Sequence, residues 1–160
     1  MSQGEWLVKK AILKDADRWF LFASLVKEDF CGLDLSKDEN YRAGMIKNIN
    51  RGTAIYIEDD LCEDHPIIGA MVFSPNQNNI GWLAVHPSYR RRGLASSLMI
   101  YMLHELNTAE RIKVKTFRDD DEYGTAARGF YKSHGFIEGE VLLDEAYPHP
   151  VQEFTKKIDK

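Results

Sequence analysis

Residues 80–106 read IGWLAVHPSYRRRGLASSLMIYMLHEL, and this run constrains the fold more than any other part of the chain. It opens as a short apolar strand that Pro87 stops, because proline cannot continue a strand ladder. It closes as a helix interrupted only by Ser96, Ser97, His104 and Glu105, so that helix is apolar almost all round and must be largely buried. Between them stand three arginines and a glycine. A strand feeding a buried helix calls for a sheet with helices packed on it.

The remaining elements extend that pattern. EWLVKKAIL reads as an opening strand, and DADRWFLFASLVKEDF as a helix with Asp15 or Asp17 as its N-cap. SKDENYRAGMIKNINRG is a more polar helix that Gly52 ends. TAIYIE follows with Thr53, Ile55 and Ile57 on one face, and IIGAMVF is a continuous apolar run typical of a strand buried on both faces. SPNQNN is a turn of the kind that joins antiparallel strands. Beyond residue 106, RIKVKTF alternates as a half-buried strand, RDDDEYG is a charged loop and TAARGFYKSHGF a helix. The tail forms a last strand pair turned at Pro148 and Pro150. The order β-α-α-β-β-β-α-β-α-β-β predicts an α/β (α+β) fold in one domain over residues 1–160. Neither a repeat nor a linker divides the chain.

The net charge of −4 argues against a generally basic nucleic-acid binder, so an anion site has to be local. HPSYRRRG meets that requirement. A helix N-terminus presents unbonded N–H groups and the positive end of its dipole, and Gly93 lets backbone approach an anion without a Cβ in the way. Arginine forks suit phosphate oxygens. A solvated charge run beside a glycine would spell the same letters. The sequence contains neither G-x-x-x-x-G-K-[ST] nor G-x-G-x-x-G, so the two commonest phosphate cradles are excluded.

Arg90-Arg91-Arg92-Gly93-Leu94-Ala95 resembles the Q/R-x-x-G-x-G/A loop of the GNAT acetyltransferase superfamily. WLAVHPSYR resembles the V-x-P-x-Y/F-R entry to that loop, and ARGFYKSHGF the end of the family's fourth helix, with Tyr131 four residues before Gly135-Phe136. The resemblance implies a single mixed, mostly antiparallel sheet of about six to seven strands with about four helices on its faces. It implies acetyl-CoA as the acyl donor. Leu83, Ala84 and Val85 would then meet the pantetheine arm, and Arg90 with the loop Arg91, Arg92, Gly93, Leu94, Ala95 and Ser96 the pyrophosphate.

The reaction implied is N-acetylation of a primary amine, on a small molecule or a peptide, by direct attack on the thioester. A departing thiolate needs a proton, and a tyrosine hydroxyl can supply it. Tyr131 is the candidate, with neighbouring Phe130 free to pack into the core about 100° away around the helix. The general base is unassigned. The strand IGWLAV carries no carboxylate, and Gly124 stands where the family often has an asparagine. Asp119–Glu122 and Glu58, Asp59 and Asp60 read either as solvated loops or as groups that attract a cationic amine or supply a base.

Other chemistries find little support. The five histidines show no metal-ligand spacing, there is no G-x-S-x-G elbow, and Cys31 and Cys62 form no C-x-x-C and read as reduced thiols. MSQGEWLVKK lacks a signal-peptide core and no apolar run approaches a membrane span, so a cytoplasmic protein without membrane or nucleic-acid partners is expected. An acyl-CoA-binding module without turnover is the main alternative function. The resemblance leaves a homodimer open. Residues 20 to 50, together with Trp19 and including Phe20, Phe30 and Tyr41, are expected to line the acceptor pocket.

Overall fold

Asp38 and Gly52 bracket the clearest helix in the chain. The Asp38 carboxylate accepts from the Tyr41 N–H at 3.0 Å, and Gly52 closes the helix in the left-handed region at φ +75°. That helix, α2, spans Glu39–Arg51. The computed structural model describes residues 6–27, 34–76, 78–106, 111–117, 125–142 and 151–156. The other long elements are β1 (Lys9–Lys10), α1 (Ala16–Leu25), β2 (Ala54–Glu58), β3 (Ile67–Ser74), β4 (Asn79–Val85), α3 (Leu94–Glu105), β5 (Ile112–Phe117), α4 (Thr125–Ser133), β6 (Ile137–Leu142) and β7 (Val151–Lys156). Their order matches the order expected from the sequence.

The strands form a seven-stranded, mostly antiparallel sheet in the order β1-β2-β3-β4-β5-β7-β6. β1 pairs antiparallel with β2, β2 with β3, β5 with β7 and β6 with β7, whereas β4 and β5 run parallel through Asn79–Lys113 and Ile80–Val114. The chain divides into two compact units, the first comprising Met1–Phe73 and Trp82–Glu105 and the second Ser74–Gly81 and Leu106–Lys160.

In the first unit, α1 and α2 bury Trp19, Phe22, Ala23, Met45 and Ile49 in one core with Ala54 and Tyr56 of β2, Ala70 of β3 and Trp82 of β4. Trp82 anchors it, its ring lying 5.8 Å from those of Trp19 and Tyr41 and 6.0 Å edge-on from Phe22. The opposite face of β3 meets α3: a Cβ built at Gly69 would lie 3.2 Å from Leu94 Cδ2. β3 slips register beside Ile57 and Glu58, so Ile67 joins the α1/α2 core although Gly69 faces α3.

Three local expectations change. The opening strand shrinks to Lys9–Lys10, because the chain turns into a 3₁₀ segment at Leu13–Asp15. Asp15 stands at the N-cap of α1 without capping it: its carboxylate accepts from the Ile12 N–H at 2.9 Å and from Arg18 at 2.8 Å. β2 is buried from Ala54 to Ile57 on both faces, because it lies inside the sheet with α2 and α3 both packed on it. On α3, Ile100 is 55% exposed, so one side of that apolar helix meets solvent.

In the second unit, α4 lies against β6 and β7 through Arg128, which is 5% exposed. Its guanidinium donates to Glu138 Oε1 at 2.8 Å and to Gln152 Oε1 at 2.6 Å, and lies 5.0 Å over the Phe154 ring. Gly135 ends the helix at φ +87°, and the Phe136 N–H donates to the Tyr131 carbonyl at 3.0 Å. The expected turn at Pro148 and Pro150 and the charged loop 118–124 lie outside the described residues.

Candidate active site

The cofactor-binding candidates follow one another along a single path in the first unit. β4 alternates, with Trp82 and Ala84 buried in the core while Leu83 and Val85 on the other face are half-buried. Pro87–Tyr89 makes one 3₁₀ turn, started by the His86 Nδ1 that accepts from the Ser88 N–H at 3.1 Å. The chain then turns twice through the left-handed region, at Arg91 (φ +64°) and at Gly93 (φ +85°), and enters α3. Gly93 suits its conformation. Arg91 does not, and a non-glycine residue held there costs about 1 kcal/mol.

This path delivers what an anion site needs. Arg90, Arg91 and Arg92 are all exposed, Gly93, Ala95 and Ser96 are half-buried, and Leu94 is buried as the anchor of the helix start. The N–H groups of the first turn of α3 point along its axis toward the loop, where the helix dipole is positive. The Ser97 N–H donates to the Gly93 carbonyl at 3.0 Å, so the helical ladder begins at that glycine.

Several contacts hold the strained loop. Trp6 Nε1 donates to the Arg92 carbonyl at 2.8 Å, and the Trp6 N–H donates to Ser97 Oγ at 3.2 Å. Arg90 Nε donates to the Val85 carbonyl at 3.4 Å. The Tyr89 hydroxyl donates to Asp59 Oδ2 at 2.5 Å, and the Arg92 guanidinium lies 5.3 Å over the Tyr89 ring. That bond holds the Asp59 carboxyl below its ordinary range and pushes the Tyr89 phenol above its own.

Glu58 and Asp59 are therefore engaged rather than solvated. Glu58 accepts from Lys9 Nζ at 3.0 Å, has His65 Nδ1 at 2.9 Å and has Arg18 4.0 Å away. Burial works to raise its pKa, but the Lys9 hydrogen bond and the Lys9, Arg18 and His65 charges outweigh it and hold the carboxyl low. Ligand atoms of Glu58, Asp60 and His65 lie within 4.8 Å of one another. Lys9 and Arg18 already supply the positive charge there, so the group is an ion-pair network.

Tyr131 stands on α4 in the second unit. It is 4% exposed, and its ring centroid lies 5.3 Å from Phe136, 6.3 Å from Phe154 and 5.5 Å from Phe130. The expected division of labour is thus reversed: Phe130 is the half-buried ring, set against His134 at 4.2 Å, and Tyr131 is the buried one. Helical phase separates the two rings but does not say which faces the sheet. Arg128, one turn before Tyr131 on the same helix, was not singled out from the sequence, although its i, i+3 spacing from Tyr131 marks a shared face. Of the expected acceptor-pocket residues, Trp19 is fully buried, Phe20 is 7% exposed and Tyr41 is half-buried with its hydroxyl accepting from Trp19 Nε1 at 3.1 Å. Burial raises the pKa of that hydroxyl far above its ordinary value. Phe30 and Asp119–Glu122 lie outside the described residues.

Comparison with known proteins agrees with this fold. The family model for the acetyltransferase (GNAT) domain matches residues 50–138, more than half of the chain. A GNAT-family acetyltransferase from Bacillus cereus has a similar structure, with a TM-score of 0.70 at 25% identity, over 98% of this chain and 100% of that one. Ard1 from Thermoplasma volcanium gives 0.71 at 19% identity over 96% and 98%, and the PaiA N-acetyltransferase from Thermoplasma acidophilum, solved with coenzyme A, gives 0.69 at 14% over 96% and 99%. The last two are likenesses of fold. No curated protein matches the chain. The family model over more than half of the chain, together with a sheet of this order, defines a GNAT-type acetyltransferase. The chain belongs to the GNAT acetyltransferase family.

Proposed function

We propose that the chain works as one domain over residues 1–160 and transfers the acetyl group of acetyl-CoA to a primary amine of a small molecule or peptide. The observation that carries this reading is the loop from Arg90 to Ser96, with exposed arginines, left-handed backbone at Arg91 and Gly93, and a twelve-residue helix behind it. Diphosphate fits such a loop, since a Cβ is missing at Gly93 and guanidinium forks stand beside the helix N-terminus. The half-buried Leu83 and Val85 support the backbone of β4 as the place for the pantetheine arm, with Ala84 turned into the core between them.

Direct transfer has a simple balance. The neutral amine forms a bond to the thioester carbonyl carbon, the carbon–sulfur bond breaks, and the sulfur takes a proton. The attacking nitrogen loses one proton to solvent or a base. Tyr131 is the proposed donor to sulfur, and its packed ring fixes where the hydroxyl can point. Tyr131→Phe is a clean test because it keeps the ring in its cluster and removes one oxygen. Thiol release in the presence of an amine acceptor should slow by about 100-fold, with affinity for acetyl-CoA unchanged. Equal turnover would leave Tyr131 as a core aromatic and nothing more.

Among the described residues no helix is long and apolar enough to cross a membrane. The reading of an acyl-CoA-binding module without turnover makes the opposite prediction at the thiol: CoA binding persists, and no amine releases free CoA.

A further inference from the structure

The entry to the loop tolerates tyrosine or phenylalanine in the family pattern, so the pattern does not explain why this chain uses the hydroxyl of Tyr89. The structure gives that hydroxyl a specific partner. It donates to Asp59 Oδ2 at 2.5 Å, across 30 residues of sequence, and so ties the β2–β3 loop to the residue before Arg90. Asp59 is itself held from several sides. Its Oδ1 accepts from the Leu61 N–H at 2.9 Å, its Oδ2 has Cys62 Sγ at 3.4 Å, and its own N–H donates to the Pro66 carbonyl at 3.0 Å. The carboxylate is thus a fixed post rather than a mobile surface charge.

What it fixes matters because of the backbone that follows. Two residues beyond Tyr89, Arg91 sits at φ +64°, and Gly93 at φ +85° completes the turn into α3. A non-glycine residue relaxes out of that region unless both flanks are held. The downstream flank is held by Trp6 on the Arg92 carbonyl, and the upstream flank by Asp59 on Tyr89. The Arg92 guanidinium over the Tyr89 ring joins the two ends. A carboxylate beside a seat for an anionic cofactor would otherwise be a repulsive presence, which a purely attractive design would omit.

We propose that Asp59 and Tyr89 are positioning residues that hold the 90–96 loop in its diphosphate-binding conformation before the acyl-CoA arrives. This rests on the reading of that loop as the cofactor seat. Preorganisation of this kind appears in affinity, because a loop that must be ordered on binding subtracts the ordering cost from the gain.

Calorimetric titration of the full chain with CoA and with dephospho-CoA tests it, in wild type, Tyr89→Phe, Asp59→Ala, Asp59→Asn and the Tyr89→Phe/Asp59→Ala double variant. Tyr89→Phe and Asp59→Ala should each weaken CoA by about tenfold, as expected for one lost hydrogen bond to a charged group. The double variant should be no weaker than either single, because the two residues act through one bond. Asp59→Asn keeps an oxygen that accepts from Tyr89 and should recover part of the loss. Dephospho-CoA should lose by the same factor, since it carries the same diphosphate. Unchanged affinity in Tyr89→Phe, additive losses in the double variant, or a loss confined to CoA would each overturn the proposal. Wild-type chain that binds neither ligand would instead remove the cofactor reading on which it rests.

Discussion

Glu58 shows how a single side chain in this protein makes stability depend on pH. Its side chain is 9% exposed, and its carboxylate faces Lys9, Arg18 and His65 together. Because its folded pKa lies below the ordinary value of about 4.3, the network contributes stability above that value. That contribution is lost as pH falls through the lowered folded pKa. Glu58→Gln keeps the shape and removes the charge, and should lower Tm by about 3 °C at pH 7. Melting curves of both proteins from pH 7 down to about pH 3 should converge as wild-type Glu58 takes up its proton. A difference that stays constant across that range would assign the effect to packing. None of this could be read from YIEDD, in which Glu58 looks like its neighbours. The ion pairs that distinguish it come from Lys9, Arg18 and His65, each on a different stretch of chain.

At the level of elements, legibility follows how local the determining signal is. α2 was readable because its start and stop lie in its own residues, the Asp38 cap and the left-handed Gly52. The loop into α3 was readable for the same reason, since Pro87, the arginines and Gly93 stand within seven positions of one another. For β2 the alternation places Thr53, Ile55 and Ile57 on one face but does not say that both faces are covered, because α3, which packs on it, is coded forty residues later. The Asp59–Tyr89 bond and the Arg128 contacts to Glu138 and Gln152 were invisible for that reason too. Gly139 is a further case in which an element's tolerance depends on its partner. A Cβ there would lie 2.8 Å from the Glu153 carbonyl oxygen, where β6 slips register against β7 between Glu138 and Val141. A strand carbonyl cannot swing aside as a side chain can. Gly139→Ala should therefore lower Tm by about 5 °C, although alanine normally favours strands over glycine. An unchanged or higher Tm would mean that the β6 backbone gives way without cost.

For the molecule as a whole, the distribution of charge makes the cofactor reading easy to challenge. The chain is net negative, −4, yet Arg90, Arg91 and Arg92 lie exposed together at the start of α3. The net charge offers a polyanion no general attraction, so the proposed binding rests on that loop. A ligand that binds only the folded state at 100 times its dissociation constant adds about 2.7 kcal/mol, or about 5–10 °C for a chain this size. Acetyl-CoA and CoA should each raise Tm by that amount, whereas ATP and NAD, which bring phosphates without the pantetheine arm, should not. Gly93→Asp should abolish the shift, since it places a carboxylate against the diphosphate and a Cβ at φ +85°. The variant has its own stability cost, so the comparison is between ligand-induced shifts and not between absolute Tm values. An equal shift in Gly93→Asp and wild type would place the ligand elsewhere. A shift with all four ligands would reduce the loop to a general phosphate binder, and the proposed transfer to an amine would then have no acyl donor to start from.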